Sequence, residues 1–337
     1  MSEKQDHNKD SHYYFELGVR ELDSGNVEKA IKAFKKAIKA NPSDPRPYSN
    51  LGIAYELACD YGKARKAYEK AIEINPNNPS TLNNLAGLSL LEGHPHEAFF
   101  LYDSAISSDP QFVEPYLNIA RLLLEAREIS TAESYVCKVV AIDPHNIEAL
   151  NLLGVIKNVT RRSDEAVEHF QDALKLHADQ STVLSNLGIA FRSIGDLRRA
   201  IISFEKACEL NPDNFSILNN LGVLYRETGQ LDKAEYFFKR AIECSNEIPF
   251  PFFNIAELYI EKGEYCLALE NLKRYISLVP LDLDNLFKTC GIALMSDRLI
   301  EAVQEMQSFI KEADTADPRV DIVKKWLKMA ENTYKME

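Results

Sequence analysis

The chain has 337 residues and carries 51 acidic against 39 basic side chains, which gives a net charge of −12 at pH 7. This acidic balance argues against nucleic acid as the main partner, because phosphate binding requires a basic face. Apolar runs stay well short of the about 18 residues that suggest a membrane span. The polar N-terminus lacks the apolar core of a signal peptide. We therefore expect a cytoplasmic protein with no membrane partner.

A strict internal repeat organises most of the chain. The first ten residues are polar and are predicted to be disordered. Residues 11–316 then repeat with a period of 34 residues, without insertion or deletion. Such a period predicts nine structural repeats that each pack mainly on their neighbours. Position 20 of the unit is alanine in every repeat: Ala30, Ala64, Ala98, Ala132, Ala166, Ala200, Ala234, Ala268 and Ala302.

Each unit predicts two amphipathic helices, A and B, joined by a short turn. In residues 215–247 the apolar positions recur with helical spacing in two segments, and Gly229 between them suits a left-handed turn. Helix B is predicted to end before a proline in six units: Pro42, Pro76, Pro110, Pro144, Pro212 and Pro280. We expect costlier turns in four units that lack the turn glycine: Cys59, Arg127, Arg161 and Asp297.

Small and large side chains alternate at the predicted helix contact. Position 8 is always small, and we expect it to face the alanine of position 20: Gly18, Gly52, Ala86, Ala120, Gly154, Gly188, Gly222, Ala256 and Cys290. Aromatic residues at position 24 are expected to fill the gap between repeats: Phe34, Tyr68, Tyr102, Phe170, Phe204 and Phe238.

The second unit carries a complete family pattern at positions 4, 7, 8, 11, 20, 24, 27 and 32: Tyr48, Leu51, Gly52, Tyr55, Ala64, Tyr68, Ala71 and Pro76. This pattern resembles the tetratricopeptide repeat. The resemblance implies an all-α fold, an α-solenoid in which nine helix-turn-helix repeats form a right-handed superhelix and the A helices line a concave groove. Residues 317–337, with Asp317 as an N-cap before Pro318 and an apolar stripe through Trp326, are predicted to form a C-terminal capping helix; a partner-binding helix is the alternative.

Asparagine recurs at position 6, which should face the groove in this family: Asn50, Asn84, Asn118, Asn186, Asn220 and Asn254. A primary amide can pair with both groups of a peptide bond, so a row of them can hold a partner segment by its backbone. The row resembles the repeat domain of O-linked N-acetylglucosamine transferases, which holds peptides in this way. No glycosyltransferase domain is present in these residues, so that activity is not expected. Alternatively, the amides bond neighbouring helices.

Other groove positions vary between repeats. Repeats two to four place an apolar strip there: Leu57, Leu90, Leu91 and Leu124. Arg192 and Arg226 in repeats six and seven are candidate ligands for a carboxylate or phosphate of the partner, unless they pair with Glu227 or other acidic neighbours. Three aromatic residues near the C-terminal end suit either packing or a pocket: Phe250, Phe253 and Phe287.

The sequence therefore predicts a non-enzymatic scaffold that binds a peptide or protein segment. It contains no phosphate loop, nucleophile elbow or zinc-protease motif, and we expect no cofactor and no metal. The six scattered cysteines suit free thiols. Two alternatives stay open, namely a self-associating assembly protein, in which the apolar strip joins a homodimer, and a regulatory subunit of an enzyme complex.

Overall fold

The computed structural model describes residues 2–177, 180–279, 282–296 and 298–334, which form nineteen α-helices and no strand. The A helices are α1 (Ser2–Asp23), α3 (Pro45–Leu57), α5 (Pro79–Leu91), α7 (Glu114–Glu125), α9 (Ile147–Val159), α11 (Ser181–Ser193), α13 (Phe215–Glu227), α15 (Pro249–Lys262) and α17 (Leu283–Met295). The B helices are α2 (Val27–Ala40), α4 (Tyr61–Ile74), α6 (Pro95–Ser108), α8 (Ile129–Ile142), α10 (Ser163–Leu176), α12 (Leu197–Leu210), α14 (Leu231–Cys244), α16 (Tyr265–Leu278) and α18 (Leu299–Glu312), and α19 (Pro318–Tyr334) follows the last repeat.

Side-chain caps and prolines fix where several helices begin and end. Asp44 accepts a hydrogen bond from the N–H of Arg46 at 3.0 Å, and Asn78 accepts one from Thr81 at 2.9 Å. Each cap satisfies a backbone donor that the first helical turn leaves without a partner. The predicted prolines lie two residues beyond the last residue of α2, α4, α6, α8 and α12, which confirms the predicted ends. Pro280 lies outside the described residues.

The turns between helices A and B need a left-handed residue. Five glycines there have φ between 74° and 83°. Cys59, Arg127 and Arg161 adopt the same conformation with φ of 56°, 62° and 62°. A β-carbon makes this conformation costly, so the prediction of strained turns is confirmed at these three positions. Asp297, the fourth, lies outside the described residues.

The small residue of position 8 lies directly against an aromatic ring, a neighbour that the sequence did not predict for it. A β-carbon added to Gly52 would lie 2.4 Å from the ring of Tyr68, and one added to Gly188 would lie 2.5 Å from Phe204. The nearest neighbour of position 8 is therefore the aromatic side chain of position 24 in the same repeat. Tyr68 and Phe204 are almost fully buried. Tyr68 also belongs to a core cluster with Leu85 and Leu88 of the next repeat, which agrees with the predicted filling of the gap between repeats.

The chain divides into two compact units, unit 1 (Met1–Ile156) and unit 2 (Lys157–Glu337). In unit 1, helices α2, α4 and α6 each pack against helix A of their own repeat and against helix A of the next repeat. In unit 2, α12, α14 and α16 pack in the same manner. The buried side chains of both units are mainly alanine, aliphatic and aromatic. None of the helices in the described part of the chain is both long and apolar enough to span a bilayer.

Both ends of the array carry additional helix. Helix α1 begins at Ser2, within the segment for which the sequence predicted disorder, because residues 2–10 contain no glycine or proline and continue the helical backbone. Helix α19 packs against α18. Its Trp326 stacks on Phe287 with ring centroids 5.2 Å apart, and Phe287 contacts Phe309 at 5.7 Å.

Candidate functional site

The position-6 asparagines lie on the A helices of both units, and all six are half-buried. Asn50, Asn84 and Asn118 belong to α3, α5 and α7 of unit 1, and we call the surface that they share the A face of unit 1. The A face of unit 2 is defined by α11, α13 and α15: Asn186, Asn220 and Asn254.

Two of these amides bridge neighbouring repeats. Asn118 donates a hydrogen bond from Nδ2 to Oδ1 of Asn83 at 3.1 Å, and Asn254 donates one to Asn219 at 2.9 Å. Both acceptors stand 35 residues earlier, at position 5 of the preceding repeat. The alternative interpretation, in which the amides bond neighbouring helices, therefore holds for these two residues. Asparagine at position 5 of the preceding repeat is the sequence signal for this role.

Asn84 and Asn220 differ, because serine stands 35 residues before each of them, at Ser49 and Ser185. Neither side chain has a hydrogen bond with any residue in the described part of the chain. Each keeps two N–H donors and one carbonyl acceptor for a ligand. Asn50 is intermediate, since it donates to the carbonyl of Arg46 in its own helix at 3.1 Å. Asn186 is also engaged within the protein.

The carbonyl of Asn118 has a second partner. Arg121 donates from Nη1 to Oδ1 of Asn118 at 2.9 Å and forms an ion pair with Glu148. Asn118 therefore uses both its oxygen and one of its N–H groups inside the protein. Of the three asparagines in unit 1, it has the least capacity left for an external peptide.

The candidate arginines of unit 2 are also paired internally. Arg192 forms an ion pair with Glu227, and Arg226 with Glu261, where Nε and Oε1 are 2.7 Å apart. Glu257 lies 3.8 Å from Arg226 and also pairs with Lys288. The interpretation in which these cations pair with acidic neighbours is thus the one that the structure shows. A partner carboxylate would have to displace a glutamate of the A face.

The apolar strip of unit 1 is only partly accessible. Leu57 and Leu91, both at position 13, expose 60% and 68% of their surface. Leu90 and Leu124, at position 12, are half-buried and pack against the hydrophobic core. The accessible strip therefore consists of the two position-13 leucines.

The aromatic residues near the C-terminal end separate into two groups. Phe253 packs on Tyr275 with ring centroids 5.4 Å apart, and Phe287 stacks on Trp326. Phe250, in contrast, is 64% exposed. Packing therefore accounts for two of the three rings, and only Phe250 presents a free aromatic surface.

Helix α3 carries a carboxyl group, that of Glu56, with one buried oxygen. Glu56 Oε1 and the hydroxyl of Tyr68 are both buried without a hydrogen-bond partner among the described residues. Burial raises the pKa of Glu56, and the neighbouring Tyr68 hydroxyl offsets part of this rise. Burial also raises the pKa of Tyr68. No cluster of three metal-ligating side chains occurs in residues 2–177, 180–279, 282–296 and 298–334.

Comparison with protein families identifies the repeat. The family model described as cilia and flagella-associated protein 70 C-terminal domain matches residues 40–221, which is more than half of the chain. Two models of the tetratricopeptide repeat match residues 18–57 and 215–248. No curated protein sequence matches the chain.

Two solved structures share the fold. The APC/C hetero-tetramer Cut9–Hcn1 aligns with a TM-score of 0.62 and 19% identity over 72% of this chain and 48% of that chain, so this chain spans about half of that protein's length. A tetratricopeptide repeat protein from Parabacteroides merdae ATCC 43184 aligns with a TM-score of 0.55 and 18% identity, over 70% of this chain and 94% of that one. The described chain is an all-α tetratricopeptide repeat array, as its sequence predicted.

Proposed function

Because the chain belongs to the family of tetratricopeptide repeat domains represented by the cilia and flagella-associated protein 70 C-terminal domain, we propose that it is a non-enzymatic scaffold that holds a segment of a partner protein on its A faces. The observation that carries this proposal is the pair Asn84 and Asn220, one on each A face, whose side-chain amides have no partner in the described part of the chain. A half-buried amide without a partner gains a hydrogen bond when a peptide backbone reaches it.

The amides do not contribute equally to this proposed binding. Asn84 and Asn220 offer all three hydrogen-bonding groups, while Asn50 and Asn254 each offer one N–H and the carbonyl. A hydrogen bond of this kind contributes about 0.5–1.5 kcal/mol net, so several must act together. The proposal therefore requires a ligand long enough to reach more than one repeat.

The charged residues of unit 2 set the chemistry of the segment. Arg192 and Arg226 remain candidate ligands for an acidic side chain, but each must exchange Glu227 or Glu261 for it. Such an exchange leaves the number of ion pairs unchanged, so it supports specificity more than affinity. The cytoplasmic location stays part of the proposal and rests on the six free cysteines.

The test is an affinity capture from lysate with two matched variants of the full chain. The first variant is Asn84→Ala with Asn220→Ala. The control is Asn26→Ala with Gln171→Ala, which removes two exposed amides elsewhere. A partner identified by mass spectrometry should be lost by the first variant and kept by the control, with unchanged helicity in both. Equal capture by both variants would refute the A-face proposal.

Self-association is a second candidate, favoured by the exposure of Leu57 and Leu91. Light scattering of the wild-type chain would show a dimer, and Leu57→Glu with Leu91→Glu would convert it to a monomer. These positions suit the test better than Leu90 and Leu124, whose packing against the core would confound it. A monomeric wild-type chain would exclude this candidate.

A further inference from the structure

Independently of the A faces, we propose that helix α2 in unit 1 is a docking surface for an acidic helical segment of a partner protein. The surface, called here the lysine face, consists of the five lysines of this B helix: Lys29, Lys32, Lys35, Lys36 and Lys39.

The lysine face is positively charged, whereas the chain as a whole is negatively charged. Helix α2 has five lysines and one acidic residue, Glu28, so its fourteen residues carry a net +4 in a chain whose total is −12. The steps of three, four and three residues between Lys29, Lys32, Lys36 and Lys39 place these four on one side of the helix. All five lysines are exposed.

These lysines also lack the acidic neighbours that other B helices provide. None of the five has an ion pair with any residue in the described part of the chain. Some lysines on other B helices are matched by a carboxylate: Lys239 lies 2.7 Å from Glu235, and Lys273 lies 3.1 Å from Glu301. Like charges this close on one helix repel one another. An acidic partner would relieve that repulsion.

A groove beside the lysines adds an apolar contact. A cavity of about 210 Å³ lies between α1 and α2, and Leu17 and Ala33 form its apolar lining, with Lys29, Lys32 and Lys36 around it. Glu21 also lines this cavity, and its Oε2 is buried without a hydrogen-bond partner. The groove thus admits a small apolar side chain and an N–H or O–H donor, while the lysines contact carboxylates around it.

The same observations disfavour nucleic acid and membranes. The exposed residues of α2 are all charged, so the helix has no apolar side chain to insert into a bilayer. The Glu21 carboxylate repels phosphate groups at the groove, and the overall charge of −12 repels a long polyanion beyond this face. A short acidic segment of a protein avoids the long-range repulsion, and it can place an N–H or O–H donor, rather than a carboxylate, next to Glu21.

The geometry of the lysines suits a helix. The four aligned residues step along the α2 axis by roughly 4.5 and 6 Å, which are the steps of carboxylates at i, i+3 and i+7 on a partner helix. The Nζ of Lys36 lies 5.0 Å from the ring centroid of Tyr14, and that of Lys35 lies 5.6 Å from Tyr55. These cation–π contacts restrict two of the flexible side chains before binding.

The experiment measures fluorescence anisotropy of a labelled peptide of about 18 residues, with glutamates at helical spacing on one side and leucines beside them. The full chain is compared with Lys32→Glu plus Lys36→Glu, and with a control of equal charge change, Lys324→Glu plus Lys328→Glu on α19. We expect the first variant to lose about tenfold or more in affinity and the control to stay close to wild type. Binding should weaken as salt is raised from about 50 to 200 mM.

Three results would overturn the proposal. They are no binding of the peptide to the wild-type chain, equal loss in both variants, and tighter binding of duplex DNA or phosphatidylserine vesicles than of the peptide. Folding is controlled by circular dichroism and by Lys32→Gln plus Lys36→Gln, which should show a smaller loss. The Asn84→Ala plus Asn220→Ala variant should bind the peptide as wild type does, so this proposal can fail or succeed separately from the A-face function.

Discussion

Single residues set the distance between helices A and B. Gly52 leaves no room for a β-carbon, because the Tyr68 ring already occupies that space at 2.4 Å. The Tyr68 side chain is fully buried and cannot move without disturbing the core of unit 1. Tight packing of this kind makes even one added methyl group unfavourable.

We therefore expect Gly52→Ala to destabilise the protein by about 1–3 kcal/mol. Gly62 provides the matched control, because it lies in helix α4 of the same repeat with no atom within 4 Å of an added β-carbon. Gly62→Ala should stabilise by at most about 0.5–1 kcal/mol through helix propensity, because Gly62 lies in the first turn of α4. Urea denaturation of both variants measures the difference, and equal effects would contradict the packing argument.

Glu56 gives stability a local pH dependence. Its pKa is raised by burial, so the folded state holds the proton more tightly than the unfolded state. Burying the ionised Glu56 carboxylate lowers the free energy of unfolding. This loss of stability is present in full above the folded-state pKa, and it disappears as the pH falls through that pKa toward the ordinary value of 4.5. Glu56→Gln should raise Tm at pH 7, and the gain should vanish near pH 4. A gain that persists at pH 4 would show that the buried charge is not its cause.

At the scale of the element, the repeat pattern predicted where the helices begin and end better than it predicted which side chains are in contact. Period, caps and prolines are local features, so the ends of α2 and α4 followed directly from them. The close contact of position 8 with the aromatic ring of position 24 did not follow, because spacing places Gly52 on the inner side of its helix without showing which facing side chain lies nearest. The ion pairs of Arg192 and Arg226 depend on long side chains that reach the next repeat, and no local pattern determines them.

A substitution in the turn between α7 and α8 tests whether the backbone strain of a left-handed, non-glycine residue can be removed. Arg127 has a φ of 62° and is exposed, so its side chain contributes little to packing. Arg127→Gly should stabilise the protein by about 1 kcal/mol, because glycine adopts the left-handed conformation without a β-carbon clash. Arg127→Ala keeps the β-carbon and should give no gain. Thermal melts of the two variants make the comparison, and a gain in the alanine variant would point to the lost charge instead.

The six position-6 asparagines show how an element acquires more than one role. Where asparagine precedes by 35 residues, as Asn83 does for Asn118, the amide joins two repeats. Where serine precedes, as Ser49 does for Asn84, the shorter side chain leaves the amide without a partner. The row could be predicted from the sequence, whereas this division required the pairing geometry. One motif therefore combines structural and candidate binding positions.

At the scale of the molecule, stability in a repeat array is a sum of local terms. Each repeat contacts mainly its neighbours, so a defect near one end opens nearby repeats before distant ones. The C-terminal end is suited to a test, because Trp326 of α19 stacks on Phe287 of α17, which in turn contacts Phe309 of α18. This aromatic group joins α19 to both helices of the ninth repeat.

Trp326→Ala should lower the free energy of unfolding by about 2–4 kcal/mol. The indole is half-buried, and truncating a fully buried tryptophan costs up to about 5 kcal/mol. Hydrogen exchange should then be faster in α17, α18 and α19 and unchanged in α3 to α6 of unit 1. Lys325→Ala, an exposed neighbour on the same helix, should leave exchange unaltered throughout. Faster exchange in α3 to α6 as well would mean that the chain unfolds as one cooperative body, and mutations on one A face would then have to be judged for their effect on the other.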